Sequence, residues 1–153
     1  PRSTLSSSSA ASDVYKRQLH YAATRAAKTG GGVEVLAIIT PQDQTHWLGV
    51  AEKMREEARE TIEENFQIYS NWMKDELKLE AELVIREGEK ATEVLNQISE
   101  DKVVGVLVLG ANNSSEGPGP LISQLVSRDG GNLPIPVTIV PGSMTKERIE
   151  AVS

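Results

Sequence analysis

The sequence predicts a doubly wound α/β domain: a parallel sheet with helices packed on both faces. Two observations carry that prediction. Short β-branched runs, VEVLAII, EAELVIR, VVGVLVLG and IPVTIVPG, alternate with segments of helical periodicity. The run VVGVLVLG also shows no polar alternation and ends on a glycine, as a strand covered on both faces does. Helix and strand in strict alternation imply parallel strands joined by crossover helices.

The elements follow in order. Leu19 to Thr29 is alanine-rich with apolar positions at helical spacing, and Gly30 to Gly32 end it. Val33 to Ile39 is a buried strand bounded by glycines and by Thr40-Pro41. A long helix from Leu48 to Leu77 carries the stripe Val50, Met54, Ala58, Ile62, Phe66, Tyr69, Met73 and Leu77, with glutamates Glu52, Glu56, Glu60 and Glu63 on a solvated face. Glu80 to Arg86 is a strand, Gly88 a turn, and Lys90 to Ser99 a helix with Ala91, Val94, Leu95 and Ile98 inward. Val103 to Leu109 is the next strand. Pro120 begins a helix bearing Leu121, Ile122, Leu125 and Val126, and Ile135 to Val140 is the last strand. The order from Leu19 is therefore α-β-α-β-α-β-α-β, with the strand expected before the first helix missing.

Residues 1–18 (PRSTLSSSSAASDVYKRQ) are expected to be a disordered or artefactual segment. They are serine-rich, with neither the order of a signal peptide nor the periodicity of a core element, and SSSSAASDVYKRQ resembles translated sequencing-adapter read-through. The domain is then 19–142, followed by a tail at 143–153.

Composition narrows the function. A net charge of −6 with no basic patch argues against nucleic acid or an anionic membrane as partner. The absence of cysteine excludes disulfides and thiolate chemistry, and permits a cytoplasmic location. His20 and His46 lack ligand or triad partners at diagnostic spacing, and Trp47 and Trp72 read as cover for the long helix. No catalytic set and no metal site is recognisable.

The candidate site is the loop ANNSSEGPGP after VVGVLVLG. It lies where open α/β sheets bind ligands, at the carboxyl end of a parallel strand and leading into a helix amino terminus that favours phosphate. Its side chains Asn112, Asn113 and Ser114 can donate hydrogen bonds, and Gly117 and Gly119 allow unusual backbone angles.

The element order, LHYAATRAAKTGGGVEVLAII, and VVGVLVLGANN with LPIPVTIVPG resemble the universal stress protein family over Leu19 to Gly142. The resemblance implies an adenine nucleotide alpha hydrolase-like fold with five parallel strands in the order 3-2-1-4-5, and a first strand ending in an acid near an adenosine site. It also implies the phosphate motif G-x2-G-x9-G-(S/T). Gly110 matches its first glycine, Asn113 stands at the second, Ser123 at the third and Gln124 at the hydroxyl position. The expected nucleotide-binding set is thus Gly110, Asn112, Asn113, Ser114, Gly117, Gly119, Ser123 and Gln124. The implied protein is a cytoplasmic stress-response module that binds ATP or another adenine nucleotide and forms a homodimer through Ile135 to Val140. A slow ATP hydrolase on the same fold, with Asp43 or Glu116 as metal carboxylate, and a protein-interaction module without nucleotide are the alternatives.

Overall fold

The computed structural model describes residues 2–7, 12–41, 48–111, 119–129 and 132–153. Five parallel strands alternate with helices: β1 (Arg2–Ser7), α1 (Ser12–Thr29), β2 (Gly32–Ile39), α2 (Leu48–Leu77), β3 (Ala81–Glu87), α3 (Lys90–Glu100), β4 (Val104–Ala111), α4 (Pro120–Asp129), β5 (Val137–Pro141) and α5 (Lys146–Val152). The sheet order is β3-β2-β1-β4-β5, so the chain winds outward from β1 in both directions. That is the doubly wound architecture the alternation predicted.

Residues 2–7 correct one expectation. The first strand is present, and it is the serine-rich segment RSTLSS. Leu5 is in register with Val35 of β2 and with Val108 of β4, and every residue from Arg2 to Ser7 has a partner in β2. Between β2 and β4 each flanking strand has a row of amides and carbonyls to satisfy, and any residue other than proline supplies the matching groups. Backbone complementarity in the central slot thus outweighs a composition that argues against a buried strand. The helix after it also starts earlier than expected. Gln18 is buried and donates through Nε2 to the carbonyl of Val108 at 2.7 Å, while Arg17 Nε donates to Met144 O at 2.8 Å.

The supposed tail is corrected too, because residues 146–152 form α5. Thr145 caps it by accepting from the amide of Arg148 at 3.2 Å, and Ile149 is buried against the body of the fold. Lys28 Nζ reaches the carbonyls of Glu150 and Ser153 at 2.6 and 3.1 Å, where the carboxyl end of a helix favours a cation.

The core lies on both faces of the sheet. On one, Leu36 and Ile38 of β2 and Leu107 and Leu109 of β4 pack against Ala91, Val94 and Ile98 of α3 and Leu121, Ile122 and Leu125 of α4. On the other, Val33, Val35, Val108 and Val140 meet Leu19, Ala22, Ala23 and Ala26 of α1 and Met73 of α2. Each fully buried Leu, Ile or Val contributes about 1.5–3 kcal/mol relative to exposure, so packing rather than intrinsic propensity fixes helices as short as α4. Gly30, at φ 74°, closes α1: the amide of Gly31 donates to Ala26 O at 2.9 Å, the six-to-one bond of a Schellman end.

One polar chain crosses from the sheet into α3. Glu34, 1% exposed in the middle of β2, accepts from Gln97 Nε2 at 3.1 Å. Gln97 Oε1 in turn accepts from Arg86 Nη1 at 2.9 Å, and Arg86 also pairs with Glu93 at 2.7 Å and Glu100 at 2.8 Å. Hydrogen bonds that Arg86 donates to Glu100 and then to Glu93 hold its guanidinium charged well above its ordinary range, and the bond to Glu100 pulls that carboxyl below its own. These contacts fasten α3 to β2 and β3.

Candidate functional site at the carboxyl end of the sheet

The apolar stripe of α2 divides in two. Its second half, Phe66, Tyr69, Met73 and Leu77, packs on the sheet. Its first half does not: Met54, Ala58 and Ile62 face a cavity of about 1140 Å³. The floor is the carboxyl end of β2, Ile38 to Pro41, and the far wall comes from Glu87, Glu89 and Lys90 between β3 and α3 and from Pro120, Leu121 and Gln124 at the start of α4. Ala51, Arg55 and Thr61 of α2 complete it. The cavity is therefore mostly aliphatic, with its polar groups at the rim, the composition of a small-molecule site.

Local geometry sets each polar group. Arg55 Nη1 stands 3.4 Å from Glu87 Oε2, an ion pair from α2 to the end of β3. Glu89 is the N-cap of α3: its carboxylate accepts from the amide of Thr92 at 3.0 Å and from the Thr92 hydroxyl. Gly88, at φ 147°, makes the turn into α3, and a Cβ there would come within 2.8 Å of the Glu93 side chain. Gly119, at φ 114°, leads into α4, where its carbonyl accepts from the amide of Ser123 at 3.1 Å. Pro120 then occupies the first helical position, where its missing N–H costs nothing.

Of the expected phosphate-binding residues, Gln124 lines this cavity. Gly119 adjoins its wall through Pro120, Ser123 is exposed on the first turn of α4, and Gly110 is half-buried one residue before the end of β4. Asn112, Asn113, Ser114 and Gly117 lie outside the described residues, as do Asp43, His46, Trp47 and Glu116. Ala111, which ends β4, and Gly119, which precedes α4, are the described residues on either side of 112–118. Sequence reasoning missed Arg55, Glu87, Glu89 and Lys90. An acid three residues before Thr92 at a helix start was a capping signal for Glu89, but nothing in the stripe of α2 distinguishes a covered face from an open one.

Superposition on solved structures decides the fold. Universal stress protein UspA from Lactobacillus plantarum matches with a TM-score of 0.76 and 13% identity, over 91% of this chain and 96% of that one. The fold is that of the universal stress proteins. A universal stress protein from Archaeoglobus fulgidus in complex with dAMP matches with a TM-score of 0.59 and 18% identity, over 90% of this chain and 95% of the other. A universal stress protein family protein from Arabidopsis thaliana with AMP bound gives 0.61 and 12%, over 92% of each chain. No protein-family model and no curated protein matches the sequence. Among the described residues no helix of this universal stress protein-like chain is long and apolar enough to cross a membrane, and no group of three or more His, Asp or Glu is placed to hold a metal ion.

Proposed function

We propose that this chain is a cytoplasmic regulatory module of universal stress protein type that holds an adenine nucleotide in the cavity at the carboxyl end of β2. The observation that carries the reading is position. The cavity opens at the carboxyl ends of parallel strands, where open α/β sheets place their ligands, and its floor and walls come from β2 and from the starts of α3 and α4. Support comes from solved proteins of the same fold that hold AMP and dAMP. The base and ribose meet the aliphatic wall of Ile38, Met54, Ala58 and Leu121. The phosphate end meets the loop carrying Asn112, Asn113, Ser114 and Gly117, together with Gly110, Gly119, Ser123 and Gln124. ATP is one such ligand, and a response to cellular stress is the corresponding role.

Calorimetric titration of the purified protein with AMP tests the reading. Saturable single-site binding is expected, and it should be lost in Ala58→Trp, which fills the cavity from its α2 wall without entering either core. Absence of saturable heat at millimolar AMP, or equal binding by the filled variant, overturns the proposal.

A further inference from the structure

Lys90 lines the cavity wall between β3 and α3 and is half-buried there. The carboxylates nearest to it in the chain are engaged elsewhere. Glu87 pairs with Arg55 at 3.4 Å, Glu89 caps α3 by accepting from the amide of Thr92 at 3.0 Å, and Glu93 pairs with Arg86 at 2.7 Å. Among the described residues no hydrogen bond or ion pair reaches Lys90 itself. The position is also a poor one for a lysine on structural grounds. It is the first residue of α3, where the unpaired amides of a helix start repel a cation. A lysine withdrawn from water ordinarily has a partner. Ile38, Met54 and Leu121 line the same cavity, and beside such apolar surface an ammonium binds an anion more strongly than it does in open water.

We propose that Lys90 is the cation that receives the phosphate of a nucleotide held in this cavity, so that its ammonium sets the preference of the site for phosphorylated over unphosphorylated ligands. This rests on the adenine nucleotide reading above and adds a charged group to the phosphate end. Lys90 shares the far wall with Gln124, one of the residues assigned to that end. The bound phosphate supplies the anion that Lys90 lacks, and its negative charge suits the start of α3 where the lysine alone does not.

The test is calorimetric titration of the full chain with adenosine and with AMP, in the wild type and in Lys90→Met and Lys90→Gln, two good helix formers without the charge. In both variants the affinity for AMP is expected to fall about tenfold while that for adenosine stays within about twofold. Lys90→Arg, which keeps the charge, should hold AMP affinity within about threefold of the wild type. The wild-type preference for AMP over adenosine should shrink as salt is raised, and more weakly so in Lys90→Met. An equal loss for both ligands, or no loss for AMP, overturns the assignment. If neither ligand binds to the wild type, the adenine reading is what has failed. The role of Lys90 is then read from 2-naphthyl phosphate: binding that Lys90→Met weakens about tenfold supports it, and equal binding by the two proteins, or none, overturns it.

Discussion

Gln97 on α3 donates through Nε2 to the buried carboxylate of Glu34 on β2, at 3.1 Å, and through its amide oxygen accepts from Arg86 at 2.9 Å. One neutral side chain thus links a glutamate that is 1% exposed to the guanidinium of Arg86 on β3. A buried polar group is tolerated where its hydrogen bonds are supplied, and removing a donor leaves the cost of desolvation in place. Gln97→Leu is therefore expected to lower stability by about 1–3 kcal/mol in urea denaturation. Replacing Glu34 by Leu in the same background should recover part of that loss, because no carboxylate then remains to be satisfied. A loss for Gln97→Leu below about 0.5 kcal/mol, within the range of ordinary surface substitutions, contradicts this role.

The amino-terminal segment offers the sharpest departure from expectation. The sequence reads residues 1–18 as a disordered or artefactual segment, yet Arg2–Ser7 is the central strand, in register with β2 on one side and β4 on the other. Deleting 1–9 should leave both flanking strands with unpaired edges and lower the melting temperature by more than roughly 10 °C, the equivalent of a few kcal/mol for a chain of this size. Leu5→Pro, which removes one ladder donor at the same place, should act in the same direction. An unchanged melting temperature for the deletion variant contradicts the central placement.

These results show what the residues could and could not reveal. Strands β2 to β5 and the four helices α1 to α4 were legible because apolar runs and helical stripes record burial directly. The strand RSTLSS was not, since its serine-rich sequence carries no apolar run, and its register is seen in the backbone pairing with β2 and β4. Helix α5 was missed because seven residues with Ile149 as the buried apolar anchor carry too little periodicity to read. Glu34 sits in an otherwise apolar run, and its meaning depends on Gln97, which is 63 positions away in the chain. The cavity was hidden for a further reason: Met54, Ala58 and Ile62 continue the same helical stripe as Phe66, Tyr69 and Met73, but only the second set packs into the core on the sheet.

His20 makes stability depend on pH. Its imidazole lies 5.4 Å from the ring of Trp72 and its Nε2 is 3.5 Å from Glu150 Oε1, so it joins α1, α2 and α5. Burial pushes its pKa below the ordinary histidine value; Glu150 offsets part of this and Lys146 adds to it. The unfolded chain therefore binds the proton more readily, and the stability contributed by neutral His20 is complete above the unfolded value and lost as pH falls through the folded one. Denaturation midpoints should decline on acidification from neutrality through the histidine range, with a shallower decline in His20→Gln. Identical slopes for the two proteins contradict the assignment.

The edge strand predicts association. β5 pairs with β4 on one side and lies at the end of the sheet order, and Ile139 on it is 42% exposed. An unpaired edge is a template for a second copy, and Pro136 and Pro141, which lack N–H donors, limit the pairing to a short segment. We propose a homodimer through Ile135 to Val140, so Thr138→Pro should sediment as a monomer where the wild type is a dimer. A monomeric wild type at tens of micromolar contradicts the proposal.

We propose that an adenine-containing ligand occupies the cavity between α2 and the carboxyl end of β2. Photolabelling with 8-azidoadenosine, followed by peptide mapping, tests it most directly. Adducts are expected only in the peptides containing Ile38 to Pro41, Ala51 to Ile62 and Pro120 to Gln124, all suppressed by excess adenosine. Labelling elsewhere on the molecule, or labelling that adenosine does not suppress, would contradict it.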